Sequence, residues 1–233
     1  MWNEPNLTQF WSGTESDYIN VILSFGHDAA KRADPDCFVL GPELAHLKSA
    51  HWNDWLSHVL TLAPTKLDII TQHAYGSDVL GELDGPQWPW DPPNVRDVIT
   101  SAGAGSKPFW LTETGWTSTP STEATQATDY QTLLDGMLTR PWWNKVFFYE
   151  LQDDPNITDA WGVLHADHST KPSFNTLQSF IVNHQPVPVL PDPIHGVVGQ
   201  PVNFDASGSH DPDNQLVAFE WDGPGAKLNY LNT

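Results

Sequence analysis

The chain has 233 residues, a length that suits one domain or one domain with a small appendage. Lys+Arg number 10 against 29 Asp+Glu, a formal net charge of −19 that repels nucleic acid and anionic membrane at neutral pH. That charge suits a neutral partner such as a sugar polymer, and it also serves plain solubility. No run approaches the roughly 18 to 20 consecutive apolar residues of a membrane span.

In chain order, short apolar runs at residues 1–3, 37–40, 67–73, 108–112 and 145–150 predict strands. Between them, residues 17–32, 51–62, 94–102, 123–139 and 172–182 carry helical patterns. Ser16 is the expected N-cap of the first helix and Pro35 its stop. The lone cysteine, Cys37, cannot form an intrachain disulfide and reads as a small buried strand residue. Strand and helix alternate, and the strands are continuous apolar runs, so the expected class is α/β with a parallel sheet buried on both faces.

Past Val182 the texture changes. Residues 185–195 are Pro-rich and predict an extended linker. Residues 196–233 read as short strands around Asp/Gly/Pro turns, the beginning of a β-sandwich. The acidic turn at Asp211-Pro212-Asp213 is first an Asx-type turn and second a Ca²⁺ site.

Two glutamates stand out. Glu4 lies in Trp2-Asn3-Glu4-Pro5-Asn6, and Glu113 in Trp110-Leu111-Thr112-Glu113-Thr114-Gly115-Trp116. Both fall at the carboxyl ends of predicted strands. A pair of carboxylates can cleave a glycosidic bond, one protonating the leaving oxygen and the other attacking the anomeric carbon or activating water. The plainer readings are a capping carboxylate at Glu4, and at Glu113 a buried structural one held by the hydroxyls of Thr112 and Thr114. Trp2 and Trp11 near Glu4 can pack on sugar rings. Trp88 and Trp90, in a Pro-stiffened loop, are either stacking platforms or core packing. Glu43, in Gly41-Pro42-Glu43-Leu44, follows a strand and is a further candidate for substrate contact. Glu150, Asp153 and Asp154 follow the last strand, and Trp161 reads as packing.

With His73-Ala74-Tyr75 between them, Asn3-Glu4-Pro5 and Thr112-Glu113-Thr114-Gly115-Trp116 resemble the clan A glycoside hydrolases, closest to the branch with family 39 β-xylosidases. The resemblance covers residues 1 to about 183. It implies a (β/α)8 TIM barrel of which strands four to eight are present. It further implies that Glu4 is the acid/base and Glu113 the nucleophile of a retaining reaction. Asn3 would bind a sugar 2-hydroxyl, Tyr75 would hydrogen-bond the nucleophile, and His73 and Trp116 would join the substrate contacts. It implies no metal, no cofactor, a carbohydrate substrate, and secretion from the cell. Residues 202–222 resemble a polycystic-kidney-disease-type (PKD) β-sandwich module, with Asp222-Gly223-Pro224 departing from that family's usual turn.

On this reading the barrel's first three strands fall outside the chain, and open strand edges invite self-association. A carbohydrate-binding or adhesion protein, and an inactive fragment of such an enzyme, are the competing expectations. Domain bounds are expected at 1–184, 185–195 and 196–233.

Overall fold

The computed structural model describes residues 2–46, 48–86, 93–184, 187–189, 205–211, 218–223 and 226–231. Contacts divide the chain into two units, Met1–Asn175 and Thr176–Thr233.

The first unit is built on a four-stranded parallel sheet in sequential order: β1 (Leu40–Ala45), β2 (Ile69–His73), β3 (Phe109–Thr114) and β4 (Trp143–Phe148). Helices fill the crossovers, as parallel pairing requires. The α/β class with a parallel sheet is therefore what forms.

The first helical stretch begins with α1 (Glu15–Asp17), continues through a π-helical turn (Tyr18–Leu23) and ends as α2 (Ser24–Ala33). Its N-cap is Thr14, not Ser16. Thr14 Oγ1 accepts from the Asp17 amide and Asp17 returns a bond to the Thr14 amide, a reciprocal pair that an exposed Ser16 side chain does not make. The helix stops two residues before Pro35, with Asp34 as C-cap. In the π turn, the Ser24 hydroxyl binds the Ile19 carbonyl at 2.7 Å.

After β1 come a 3₁₀ turn (Lys48–Ala50) and α3 (Trp52–Leu62). After β2 come α4 (Val79–Asp84), capped by Asp78, and α5 (Val95–Ser101), capped by Asn94. Helix α6 (Glu123–Leu138) follows β3, and α7 (Pro172–Asn183) follows β4 and crosses the division between the units. The core lies between sheet and helices: Ile70, Phe109 and Leu111 meet Leu56, Val59 and Leu60 of α3 and Val95, Val98 and Ile99 of α5. Burying a side chain such as Phe109 completely contributes about 2–3 kcal/mol.

Three expectations change. Trp2 and Asn3 form no strand; the segment reaches the sheet through one backbone bond, from the Glu4 amide to the Glu43 carbonyl at 2.9 Å. Strand β1 starts at Leu40, so Cys37 precedes it, half-buried, its carbonyl accepting from Lys31 Nζ. Phe38, counted as strand interior, is 70% exposed. Helix α4 is unanticipated, being six residues with a glycine inside.

The second unit contains an antiparallel hairpin, β5 (Ala218–Gly223) with β6 (Ala226–Leu231), and an antiparallel bridge between Val187 and His210. The Asp205 carboxylate accepts from the Ser207 amide in an Asx turn. Pro212 and Asp213 lie outside the described residues, as does most of the linker. No helix among the described residues is long and apolar enough to cross a membrane.

Candidate active site

The carboxyl ends of parallel strands are where α/β folds place ligands, and the singled-out residues converge there. In β1 the register runs Pro42↔Thr71 and then Leu44↔Gln72, so Glu43 is an extra residue in a bulge. Pro42 has no N–H to give the ladder, which makes this a natural place for one. Glu43 sits at φ 59°, its amide donating to Thr71 Oγ1 rather than to a neighbouring strand carbonyl. Glu4 also has positive φ, 44°. For a non-glycine residue each costs on the order of 1–2 kcal/mol. Across the next pair, a second bulge brings His73 of β2 level with Glu113 of β3.

The result is a buried histidine among three carboxylates. His73 Nδ1 lies 3.0 Å from Glu4 Oε1 and 3.2 Å from Glu113 Oε2; Nε2 lies 3.2 Å from Glu43 Oε2. The His73 side chain is 5% exposed, and those of Glu4, Glu43 and Glu113 are 14%, 16% and 32% exposed. Thr112 Oγ1 donates to the same Glu43 oxygen. Burial alone would lower the His73 pKa, but bonds to Glu43 and Glu4 and the Glu113 charge outweigh it and hold it above the ordinary imidazole value. At Glu43 burial pushes up, and the bonds from His73 and Thr112 win, leaving the carboxyl below its ordinary range. Tyr75, just past β2, is raised by burial first and then by the charge of Glu113, to which its hydroxyl donates a hydrogen bond.

Donor atoms of Glu4, His73 and Glu113 all lie within 4.8 Å of one another. Glu4 Oε1 and Glu113 Oε2 both lie within ion-pairing distance of His73 Nδ1, an arrangement that suits a proton shared between the ring and the carboxylates.

The other candidates fall as follows. Asn3 is exposed beside Glu4. Trp116 packs against Tyr130, and its indole N–H donates to the Gly76 carbonyl at 2.7 Å, tying the loop after β3 to the loop after β2. Trp88 and Trp90 lie outside the described residues. Trp2 and Trp11 meet edge to face, and Trp11 in turn meets Tyr18. Trp161 touches the rings of Tyr75 and Tyr149 edge-on, at 5.6 and 6.2 Å between centroids. Asp153 is bound to Lys171, and Asp154 closes a local turn with Asn156.

Three features near the site carry no sequence motif. Asn6 pairs through its amide group with both backbone groups of Ala45, at 2.8 and 3.0 Å, fixing the Glu4 segment on the end of β1. Gln126 of α6 is wholly buried; its Nε2 donates to the carbonyls of Trp116, Trp161 and Gly162, and its Oε1 accepts from Ser173. Behind β2, His46 stacks on Trp52 at 4.1 Å and accepts from Gln72 at Nδ1, while its Nε2 lies 3.8 Å from Glu82 Oε2. Burial, with help from Lys48, lowers His46 to about 4. Burial and Asp78 raise Glu82 to about 7, against a smaller pull from Lys48.

No known family profile and no curated protein sequence matches the chain. Solved structures do. A family 39 β-xylosidase from Caulobacter crescentus superposes with TM-score 0.58 at 22% identity, over 76% of this chain and 40% of that one. A family 39 glycoside hydrolase from Bacteroides cellulosilyticus gives 0.60 at 18%, over 97% and 49%. A glucosidase from Croceicoccus marinus gives 0.59 at 18%, over 78% and 39%. At these identities the likeness is one of fold: the chain shares the α/β architecture of part of the family 39 glycoside hydrolases. It spans two-fifths to one-half of the length of these structures.

Proposed function

We propose that the chain carries the catalytic carboxylates of a retaining glycoside hydrolase, with Glu113 the nucleophile and Glu4 the acid/base. The observation that supports this most is the approach of Glu4 and Glu113 to one nitrogen of His73, with donor atoms within 4.8 Å. Retaining enzymes hold their carboxyl groups about 5–5.5 Å apart, whereas inverting ones leave about 6.5–9.5 Å for a water.

In the first step Glu113 attacks the anomeric carbon as the glycosidic C–O bond breaks, and the Glu4 proton passes to the leaving oxygen. In the second, water attacks that carbon, Glu4 takes its proton, and the bond to Glu113 breaks. Esterification removes the Glu113 charge, so Glu4 gives up its proton more readily and becomes the base. Tyr75 orients Glu113 through its hydrogen bond, and exposed Asn3 is placed to meet a sugar hydroxyl beside Glu4.

In this reading the four parallel strands are strands five to eight of a TIM barrel, and the Glu4 segment is the end of strand four. The substrate is a neutral oligosaccharide or polysaccharide met outside the cell, with Trp88 and Trp90 as stacking surfaces. Residues 1–184 form the catalytic part, 185–195 the linker, and 196–233 part of a PKD-type sandwich.

The test is turnover of aryl β-xylosides and β-glucosides by the 233-residue chain, with the product anomer read by NMR. Expected are a retained anomer, loss of turnover in Glu113→Ala, and recovery with azide as the inverted glycosyl azide. An inverted hydrolysis product would refute the mechanism. Sugar binding without turnover in either form would favour a carbohydrate-binding protein, and neither binding nor turnover would sink both readings.

A further inference from the structure

We propose that Glu43 is a positioning residue of the site, acting on Glu4 and Glu113 through the imidazole of His73. Its consequence for catalysis rests on the glycosidase reading; its geometry does not.

The bulge and left-handed backbone at Glu43 aim its carboxylate at the ring. Oε2 meets His73 Nε2 and the Thr112 hydroxyl, both protein groups. Glu4 and Glu113 face the other nitrogen of the ring. A neutral imidazole has one N–H. Here both nitrogens face carboxylate oxygens, so a neutral ring would set a lone pair against one of them. The ring avoids this by carrying both protons, or a carboxylate must carry one. Glu43 is the poorest place for that proton, because Thr112 already donates to the oxygen that His73 faces.

Glu43 is thus the counter-ion of the ring on the side away from Glu4 and Glu113, and it fixes which nitrogen faces them. The charged and titratable groups around this pair are Glu4, Glu113 from β3, Tyr75 after β2, Tyr149 after β4, Tyr18 from the first helical stretch, which the Glu43 charge raises after burial, and the N-terminal ammonium, the last of the influences that lower Glu43. Apart from that ammonium, none of these is a cation that replaces His73. Removing the Glu43 charge therefore makes His73 release its proton at lower pH.

The experiment is an NMR titration of the histidine Cε1–H signals in the 233-residue chain and in Glu43→Gln, with His73 assigned by its loss in His73→Asn. His73 is expected to titrate above the ordinary 6.5 in the native chain, and about one pH unit lower or more in Glu43→Gln. In a turnover assay the alkaline limb of kcat/KM moves down by about the same amount while KM holds, and Glu43→Asp restores part of the shift. A native His73 titrating at or below the ordinary value overturns the proposal, as does an unmoved His73 in Glu43→Gln. If Glu43→Gln does not fold, the native titration decides alone. A chain without turnover defeats the glycosidase reading, while the NMR shift still judges the role of Glu43.

Discussion

The amide of Glu4 donates to the carbonyl of Glu43 at 2.9 Å, and both residues hold left-handed backbones, at φ 44° and 59°. Two strained glutamates thus brace each other, and their side chains meet opposite nitrogens of one histidine. Glu43→Gly should relieve the strain at that position and remove the partner of His73 Nε2. Relief of strain opposes the loss of the His73 and Thr112 bonds, so the melting temperature is expected to move by no more than about 2–4 °C, with turnover lower at least tenfold. A clear fall in melting temperature would show that the Glu43 side chain holds the fold and not only the site.

Tyr75→Phe removes one hydroxyl that donates to Glu113. Loss of a single donor to a reacting group costs on the order of 10²-fold in kcat. Steady-state kinetics should show that drop with KM nearly constant. A change confined to KM would place Tyr75 in sugar binding instead.

Lys171 is 1% exposed and pairs with Asp153 at 2.7 Å, with Ser118 as a further partner. Lys171→Met leaves the half-buried Asp153 without its cation, and breaking a buried pair costs up to about 3–5 kcal/mol. Denaturant unfolding should show it. The double change Lys171→Met with Asp153→Leu should recover most of the loss, and a double variant no more stable than the single would refute the pairing argument.

His46 and Glu82 make opposite demands on pH. The His46 pKa is lowered from 6.5 to about 4, so its contribution to stability is full above 6.5 and is lost as pH falls toward 4. The Glu82 pKa is raised from 4.5 to about 7, so its contribution is full below 4.5 and is lost as pH rises through 7. Between 4.5 and 6.5 the folded pair and the unfolded pair bind the same number of protons, and the two slopes cancel. Relative to the native chain, Glu82→Gln should therefore gain stability as pH rises across that window, and His46→Asn should lose it. Unfolding free energies at three pH values decide the matter; parallel profiles for all three proteins would show that the pair is not linked to folding.

Much of this architecture is legible in the residues. The runs ending at His73 and Thr112 both become strands, the first buried along its whole length and the second half-buried at Trp110 and Thr112, so the reach of His73 and Glu113 to one end of the sheet follows. Residues 1–3 mislead because an apolar beginning resembles a strand when nothing local says whether a neighbour will pair with it. The start of β1 is misjudged because Phe38, though apolar, faces solvent. Glu43 is visible only as a carboxylate after a strand. Its bulge, its left-handed backbone and its bond to His73 arise from tertiary pairing with Thr71 and Gln72, which no local pattern encodes. Gln126 and Lys171 are equally silent, since a polar residue on a helix or in a loop ordinarily reads as surface.

Gln126 has an engineering consequence. One amide holds the carbonyls of Trp116, Trp161 and Gly162 together, and Ser173 holds the amide. The loops after β3 and β4 are thereby a single module. Grafting one of them onto a homologous scaffold without the other, or without the glutamine that joins them, would transplant a loop stripped of its shape.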